Sequence, residues 1–213
     1  MSSDPNAVLD TVILRYFLFV DRLDLLLELL GRPLAVPRII YDPEEGDPPD
    51  LAACEFTRSI RYQRQASTDP ARDAAAQAIA AANATALEQI HDVYARGDLV
   101  VVDLDAEERR VMSGLTSPSG CAAFGLILPL DPGEAACIAV AVGRGLCLAT
   151  DDGDALKALS SIDKSLAYER IRRLLISAAE KGLVSPTETN AIHRQMTDRG
   201  FRDLQLPFPG EAG

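Results

Sequence analysis

The spacing of apolar residues changes several times along the chain, and each change marks an element. Ala7-Val8-Leu9 is a short, unbroken apolar run that stops at Asp10, the pattern of a strand buried on both faces. From Val12 onward, Arg15, Asp21, Arg22, Asp24 and Glu28 interrupt the apolar positions, while leucines at 23, 26, 27 and 30 share one helical face. This stretch predicts amphipathic helices ended by Gly31 and no membrane span, which would need about 20 nearly uncharged residues. Pro33-Leu34-Ala35-Val36 predicts a second strand. Residues 41–50, rich in Pro, Gly and acids, predict a loop. Residues 51–65 and an alanine-rich stretch over 71–95, opened by Asp69-Pro70 and closed by Gly97, predict two helices, read as a hairpin inserted at about 51–96.

The rest of the chain repeats the alternation. A third strand is expected over 99–104 and a helix from Ala106. Residues 114–124, rich in Ser, Gly and Pro, predict a loop. A nearly all-apolar helix opens at Asp131-Pro132-Gly133-Glu134 and runs through Val142. A fourth strand covers 146–150 and ends in Asp151-Asp152, which lead into another helix. The stretch from about 164 to 200 predicts two amphipathic helices with a break at 182–186. Strands alternating with helices imply an α/β fold, with a central parallel sheet of about four strands covered on both faces. At 213 residues the chain suits a single domain spanning 1–213.

Cysteine usage and charge narrow the chemistry. Cys54, Cys121, Cys137 and Cys147 form no Cys-x-x-Cys pair, and the first residues lack the basic and apolar regions of an export signal. Buried thiols in a reducing, cytoplasmic setting are expected. His91 and His193 are the only histidines, which argues against a Cys/His zinc site. The formal net charge of −11 removes one mode of nucleic-acid binding, neutralisation of phosphates by overall charge. Local basic patches, a basic partner, or a ligand other than nucleic acid remain open.

The carboxylates supply the candidate chemistry. Asp10 ends the first strand, Asp151-Asp152 end the fourth, and Glu134 stands in the first turn of the helix between them in sequence. In open α/β sheets, ligands bind beyond the carboxyl ends of the strands, so acids on separate βα units converge there. Clustered carboxylates raise one another's pKa unless a cation joins them, and Mg²⁺ or Mn²⁺ suits such hard oxygen donors. Ordinary helix capping, worth roughly 0.5–2 kcal/mol, accounts for each acid taken singly.

Three stretches, Val8-Leu9-Asp10-Thr11, Arg22-Leu23-Asp24-Leu25-Leu26 and Val36-Pro37-Arg38-Ile39-Ile40-Tyr41-Asp42, together resemble the opening of a PIN domain, in the branch of nucleic-acid-binding proteins related to VapC-type toxins. Asp131-Pro132-Gly133-Glu134-Ala135-Ala136 and Leu148-Ala149-Thr150-Asp151-Asp152 resemble the later motifs, in the expected order. Ala178-Ala179-Glu180-Lys181-Gly182-Leu183 and Arg199-Gly200-Phe201 resemble the close of that branch. The resemblance implies a three-layer α/β/α fold and an Mg²⁺- or Mn²⁺-dependent endoribonuclease. It further implies a metal site at Asp10, Glu134, Asp151 and Asp152, and a catalytic set of Asp10, Asp42, Glu134 and Asp152. RNA is the implied substrate, and a toxin–antitoxin pair, with an antitoxin protein as partner, the implied setting.

The chain departs from the family pattern at two positions. Val12 stands where the family has Ser or Asn, and Pro43 where a glutamate closes the second motif; Asp42 is assigned to that role. These departures and the acidic charge motivate a second reading, a catalytically inactive PIN-like module that binds a protein or RNA partner. Other signals have plain explanations. Arg58, Arg61 and Arg64, and likewise Arg170, Arg172 and Arg173, read as solvated helix surface or as phosphate contacts. Asp103-Leu104-Asp105 resembles the Asp-x-Asp of haloacid-dehalogenase-like phosphatases, yet the following Ala106-Glu107-Glu108 favours a helix cap. The apolar helices between 12 and 30 fit either the core or a homodimer interface.

Overall fold

The computed structural model describes residues 4–44, 54–57 and 85–202. Most of the expected inserted hairpin, including Arg58, Arg61 and Arg64, lies outside them, as do the acids at 45–50. Strand β1 (Ala7–Leu9) leads into α1 (Thr11–Phe19) and α2 (Leu23–Leu30), and β2 (Leu34–Pro37) follows. Residues 55–57 are helical, as is α3 (85–95). Then come β3 (Leu99–Val102), α4 (Ala106–Thr116), the short α5 (Pro118–Cys121) with a 3₁₀ turn at Ala122–Phe124, and α6 (Pro132–Arg144). The chain continues through β4 (Cys147–Ala149), α7 (Gly153–Ile162), β5 (Tyr168–Glu169), α8 (Ile171–Glu180) and α9 (Pro186–Asp198).

The sheet has five strands in the order β3-β2-β1-β4-β5, and every pairing is parallel. Residues of β1 and β4 are in register as Ala7–Cys147, Val8–Leu148 and Leu9–Ala149. Parallel strands of this kind are covered on both faces, and Ala7, Val8 and Leu9 are all wholly inaccessible. Helix α6 packs against β1, β2 and β4, with α4 and α7 beside it. A second group joins α1 to α2, α2 to α8 and α8 to α9. The result is an α/β fold compatible with three α/β/α layers. Among the described residues, no helix is long and apolar enough to cross a membrane.

Local chemistry explains where the elements stop. The α1–α2 corner turns at Asp21, whose φ of 53° lies in the left-handed region that Asp tolerates; Gln89 Nε2 donates to its Oδ1 at 2.7 Å. Helix α6 ends at Gly145, also left-handed at φ 65°, which lets the chain reverse directly into β4. Its middle, Ala135 to Ala141, is buried throughout. Alanine allows that face to lie close on the sheet.

Three expectations are corrected. The sheet has five strands rather than about four: Tyr168–Glu169 pairs with β4 inside a stretch expected to be helical. Two residues show no periodicity, so only pairing defines this strand. Residues 114–124 are not a loop. Helix α4 runs to Thr116, and Ser117 then caps α5 by accepting from the Gly120 N–H, with Pro118 at the first helical position. The third strand ends at Val102, two residues early, because Asp103 accepts Arg38 Nε at 2.7 Å and Asp105 caps α4. That cap is a complete capping box with Glu108, in agreement with the capping reading of Asp105.

Glu108 also joins α4 to α6. Its carboxylate is 1% exposed and accepts Arg144 Nε at 2.7 Å and Nη2 at 3.0 Å. Arg144→Ala would leave a buried acid without its cation. The expected cost is near the lower end of the roughly 3–5 kcal/mol typical of a broken buried pair, since Arg144 is itself partly exposed. Urea denaturation measures it, with Arg144→Lys expected to recover part of the loss.

Candidate active site

The strand order places one topological switch point between β1 and β4. From β1 the chain moves outward through β2 to β3, then returns to β4 on the other side of β1. A crevice opens at the carboxyl ends of such a pair. Asp10 directly follows β1, and Thr150, Asp151 and Asp152 directly follow β4.

Asp10 is buried, with 1% of its surface exposed. It stands at the N-cap of α1, yet its side chain makes no capping bond. Thr150, equally buried, donates its Oγ1 hydrogen to Asp10 Oδ2 at 2.8 Å, and Asp152 N–H donates to that same Oγ1 at 3.1 Å. This relay orients Asp10 and leaves its Oδ1 buried without a hydrogen-bond partner among the described residues. Burial pushes the Asp10 carboxyl up to about 7; the Thr150 bond opposes the rise and the charge of Glu55 adds to it. Glu134, in the first turn of α6, is pushed up to about 8, first by burial and then by the charges of Asp152, Asp10 and Asp131.

Asp152 caps α7, with Oδ1 accepting from Asp154 N and Ala155 N, each at 2.7 Å. The charge of Asp152 reaches both Asp10 and Glu134. Cys137, one turn after Glu134, is wholly buried and donates to the Leu9 carbonyl at 3.4 Å. Its thiol is raised by burial and by the charges of Asp10, Glu55 and Glu134.

The remaining sequence candidates are placed differently. Asp151 accepts Arg170 Nε on Oδ1 at 3.0 Å and Ile171 N–H on Oδ2 at 2.9 Å, so its carboxylate holds β5 and the start of α8. Asp42 does not join the group either. Its Oδ1 accepts Arg38 Nη1 at 2.8 Å and Glu44 N–H at 3.0 Å.

The residue that sequence reasoning missed is Glu55. A helical turn begins at Pro37, where Ile40 and Tyr41 N–H donate to its carbonyl. Continuing that helix would require an N–H from residue 43 for the Ile39 carbonyl, and Pro43 has none. The chain leaves the helix, and Glu55 N–H bonds Ile39 O at 2.8 Å while Phe56 N–H bonds Ile40 O at 2.9 Å. Glu55 therefore re-enters in the helical register of position 43, twelve residues downstream in sequence. Its carboxylate lies against α6: a Cβ added at Gly133 would come within 1.6 Å of Glu55 Oε2. The signal is Pro43, at a position where the PIN resemblance expects a glutamate, with Glu55 further on. The distance between them hid it.

The charges of Glu55 and Asp152 thus reach Asp10, and those of Asp10 and Asp152 reach Glu134. Oxygen donors of this kind suit a hard divalent cation, and the buried, unbonded Asp10 Oδ1 fits such a ligand. Among the described residues, no group of three or more His, Cys, Asp or Glu side chains is closed tightly enough to hold a metal ion. No family model, curated protein or solved structure matches the chain.

Two outcomes follow from this geometry. Asp10 and Glu134 have folded pKa values raised above their unfolded ones, so the folded state binds protons more tightly. Stability is then greatest below about pH 4 from these groups and falls as pH rises through about 7–8. The slope for one such group is at most roughly 1.4 kcal/mol per pH unit. Urea melts in EDTA at pH 5 and pH 8 are expected to show this fall, and Asp10→Asn to flatten it. Gly133→Ala should push the end of the Glu55 side chain out of the group, a flexible displacement that leaves the melting temperature nearly unchanged. Where these acids hold Mn²⁺, calorimetry would record a loss of affinity of about tenfold with it.

Proposed function

We propose that this chain is a PIN-type endoribonuclease dependent on Mg²⁺ or Mn²⁺, with the toxin of a toxin–antitoxin pair as its setting. The buried Asp10, with Oδ1 left unbonded among acids that raise one another's pKa, carries this reading. A carboxylate buried in this way is costly unless a cation compensates it. Two further observations support it. The α/β fold with its all-parallel sheet suits a PIN-like three-layer arrangement. Glu55 stands in the backbone register where the PIN resemblance expects a glutamate and the sequence has Pro43.

Bound at this group, the cation would supply Lewis-acid charge to phosphate oxygens and make a water acidic enough to attack phosphorus at neutral pH. The chain's own residues divide the remaining tasks. Thr150 holds Asp10 Oδ2, which leaves the buried Oδ1 available to the cation. Asp152 is fixed through Oδ1 at the start of α7, and its other oxygen would serve the cation. Glu55 and Glu134 would complete the acid set from the α6 side. As water's oxygen bonds phosphorus and the P–O bond to the leaving ribose oxygen breaks, one of them would take the water's proton and the leaving oxygen would gain a proton from solvent. No side chain forms a covalent bond to RNA.

A second reading, a PIN-like module that binds a partner without cutting RNA, is favoured by a different observation. Ile127 and Leu128, 95% and 72% exposed, project from the loop that leads to Asp131 and Glu134. Two adjacent large apolar side chains held in solvent suit contact with a protein partner. Calorimetric titration of Mn²⁺ separates the two readings. The nuclease reading expects binding by the wild type, none by Asp10→Asn, and Mn²⁺-dependent shortening of a labelled RNA by the wild type alone. Absence of binding at millimolar Mn²⁺ would leave only the binding module.

A further inference from the structure

The arginines at the carboxyl edge of the sheet differ in how completely they are engaged. Arg38 spends Nε and Nη2 on Asp103 and Nη1 on Asp42, so two carboxylates surround one guanidinium. Arg144 is committed to the buried Glu108 and to the Asp103 carbonyl. Arg170 is held by one carboxylate, through Nε to Asp151 Oδ1, and by Nη2 to the Asp151 carbonyl, each at 3.0 Å. Its Nη1 makes no hydrogen bond among the described residues, and 42% of its side chain is exposed.

The position of Arg170 is set by the sheet. Glu169 pairs with Ala149, and Thr150 N–H donates to the Glu169 carbonyl at 3.0 Å. Arg170 therefore starts beside Thr150, across a strand spacing of about 4.8 Å. Thr150 is the residue that bonds Asp10, and Asp151, which grips the guanidinium, is the chain neighbour of Asp152. Two bonds to one residue fix the plane of the guanidinium, and its remaining donors belong to a side chain that solvent reaches.

The geometry points to Arg170 as the phosphate-binding group of this site, taking a non-bridging oxygen of the RNA backbone next to the acidic crevice; this rests on the nuclease reading given above. An acidic crevice on a chain of net charge −11 repels RNA, and a fixed cation at its rim gives the backbone a place to dock. Asp151 is then a positioning residue: it orients Arg170 and caps α8 through Ile171 N–H.

The test measures RNA binding and its salt dependence separately from metal binding. Wild type, Arg170→Gln and Arg170→Lys are titrated with Mn²⁺ by calorimetry. Each is then titrated, in saturating Mn²⁺, against a fluorescein-labelled 2′-O-methyl oligoribonucleotide by anisotropy over a series of salt concentrations, with the probe checked for intactness on a gel. Arg170→Gln is expected to bind Mn²⁺ as the wild type does and RNA about tenfold more weakly. The slope of log affinity against log salt should become shallower by about 0.7, the loss of one phosphate contact on a single strand. Arg170→Lys should keep the slope while losing part of the affinity, since a point charge replaces a planar fork. If Arg170→Gln does not fold, Asp151→Asn/Arg170→Gln, which removes both charges of the pair, carries the same expectation. Unchanged RNA affinity and salt slope, with Mn²⁺ binding intact, would overturn the role of Arg170 alone. A wild type that binds no Mn²⁺ would overturn the nuclease reading and this inference with it.

Discussion

A carboxylate removed from water must find a proton, a hydrogen-bond network or a cation, and Asp10 meets that requirement at the centre of the sheet. Among the described residues only one of its oxygens is satisfied, through Thr150, while the charges of Glu55 and Asp152 reach Asp10 and its own charge reaches Glu134. The arrangement is electrostatically unfavourable in the absence of a compensating charge. It persists because the apolar packing that forces it is large: Leu9 and Ala149, which precede the two carboxyl ends, are wholly buried in the same contiguous core. The energy that folds the sheet therefore holds the acids together.

The topology decides which acids meet. Because β4 returns beside β1 rather than beyond β3, the residues after these two strands open into one crevice. Helix α6 leads into β4 and lies on β1, β2 and β4, so its first turn reaches the same place. The close approach has two sequence requirements. Alanines at 135, 136, 139 and 141 let the helix sink onto the strands, and Gly133 leaves room for the Glu55 carboxylate.

Around this unfavourable centre, the flanking charges are paired. Arg38 bridges Asp42 and Asp103 on the β2–β3 side, Arg144 neutralises Glu108 between α4 and α6, and Arg170 is gripped by Asp151 on the β4–β5 side. The pairs serve as clasps between elements as much as charge balance. Asp151 shows the division most clearly: next in sequence to Asp152, it secures β5 and α8 instead of turning toward Asp10.

The sequence by itself determined the class of fold and the backbone places of the central acids. Strands and helices carry different apolar periods, and an acid at the end of a buried run has few places to go but the edge of the sheet; Asp10, Glu134 and Asp152 were legible for that reason. What sequence could not determine was pairing across distance. The Tyr168–Glu169 strand is too short for any period and exists through its bonds to β4. Asp151 and Asp42 look equivalent to their neighbours until Arg170 and Arg38 are brought beside them by the fold. Glu55 reaches the site because a proline without an N–H forces the chain out of a helix and a residue twelve positions later restores the missing bond. Periodicity is a local property, carried by neighbours along the chain. Which carboxylate meets a cation, a helix end or another carboxylate is settled only when distant segments are packed against one sheet.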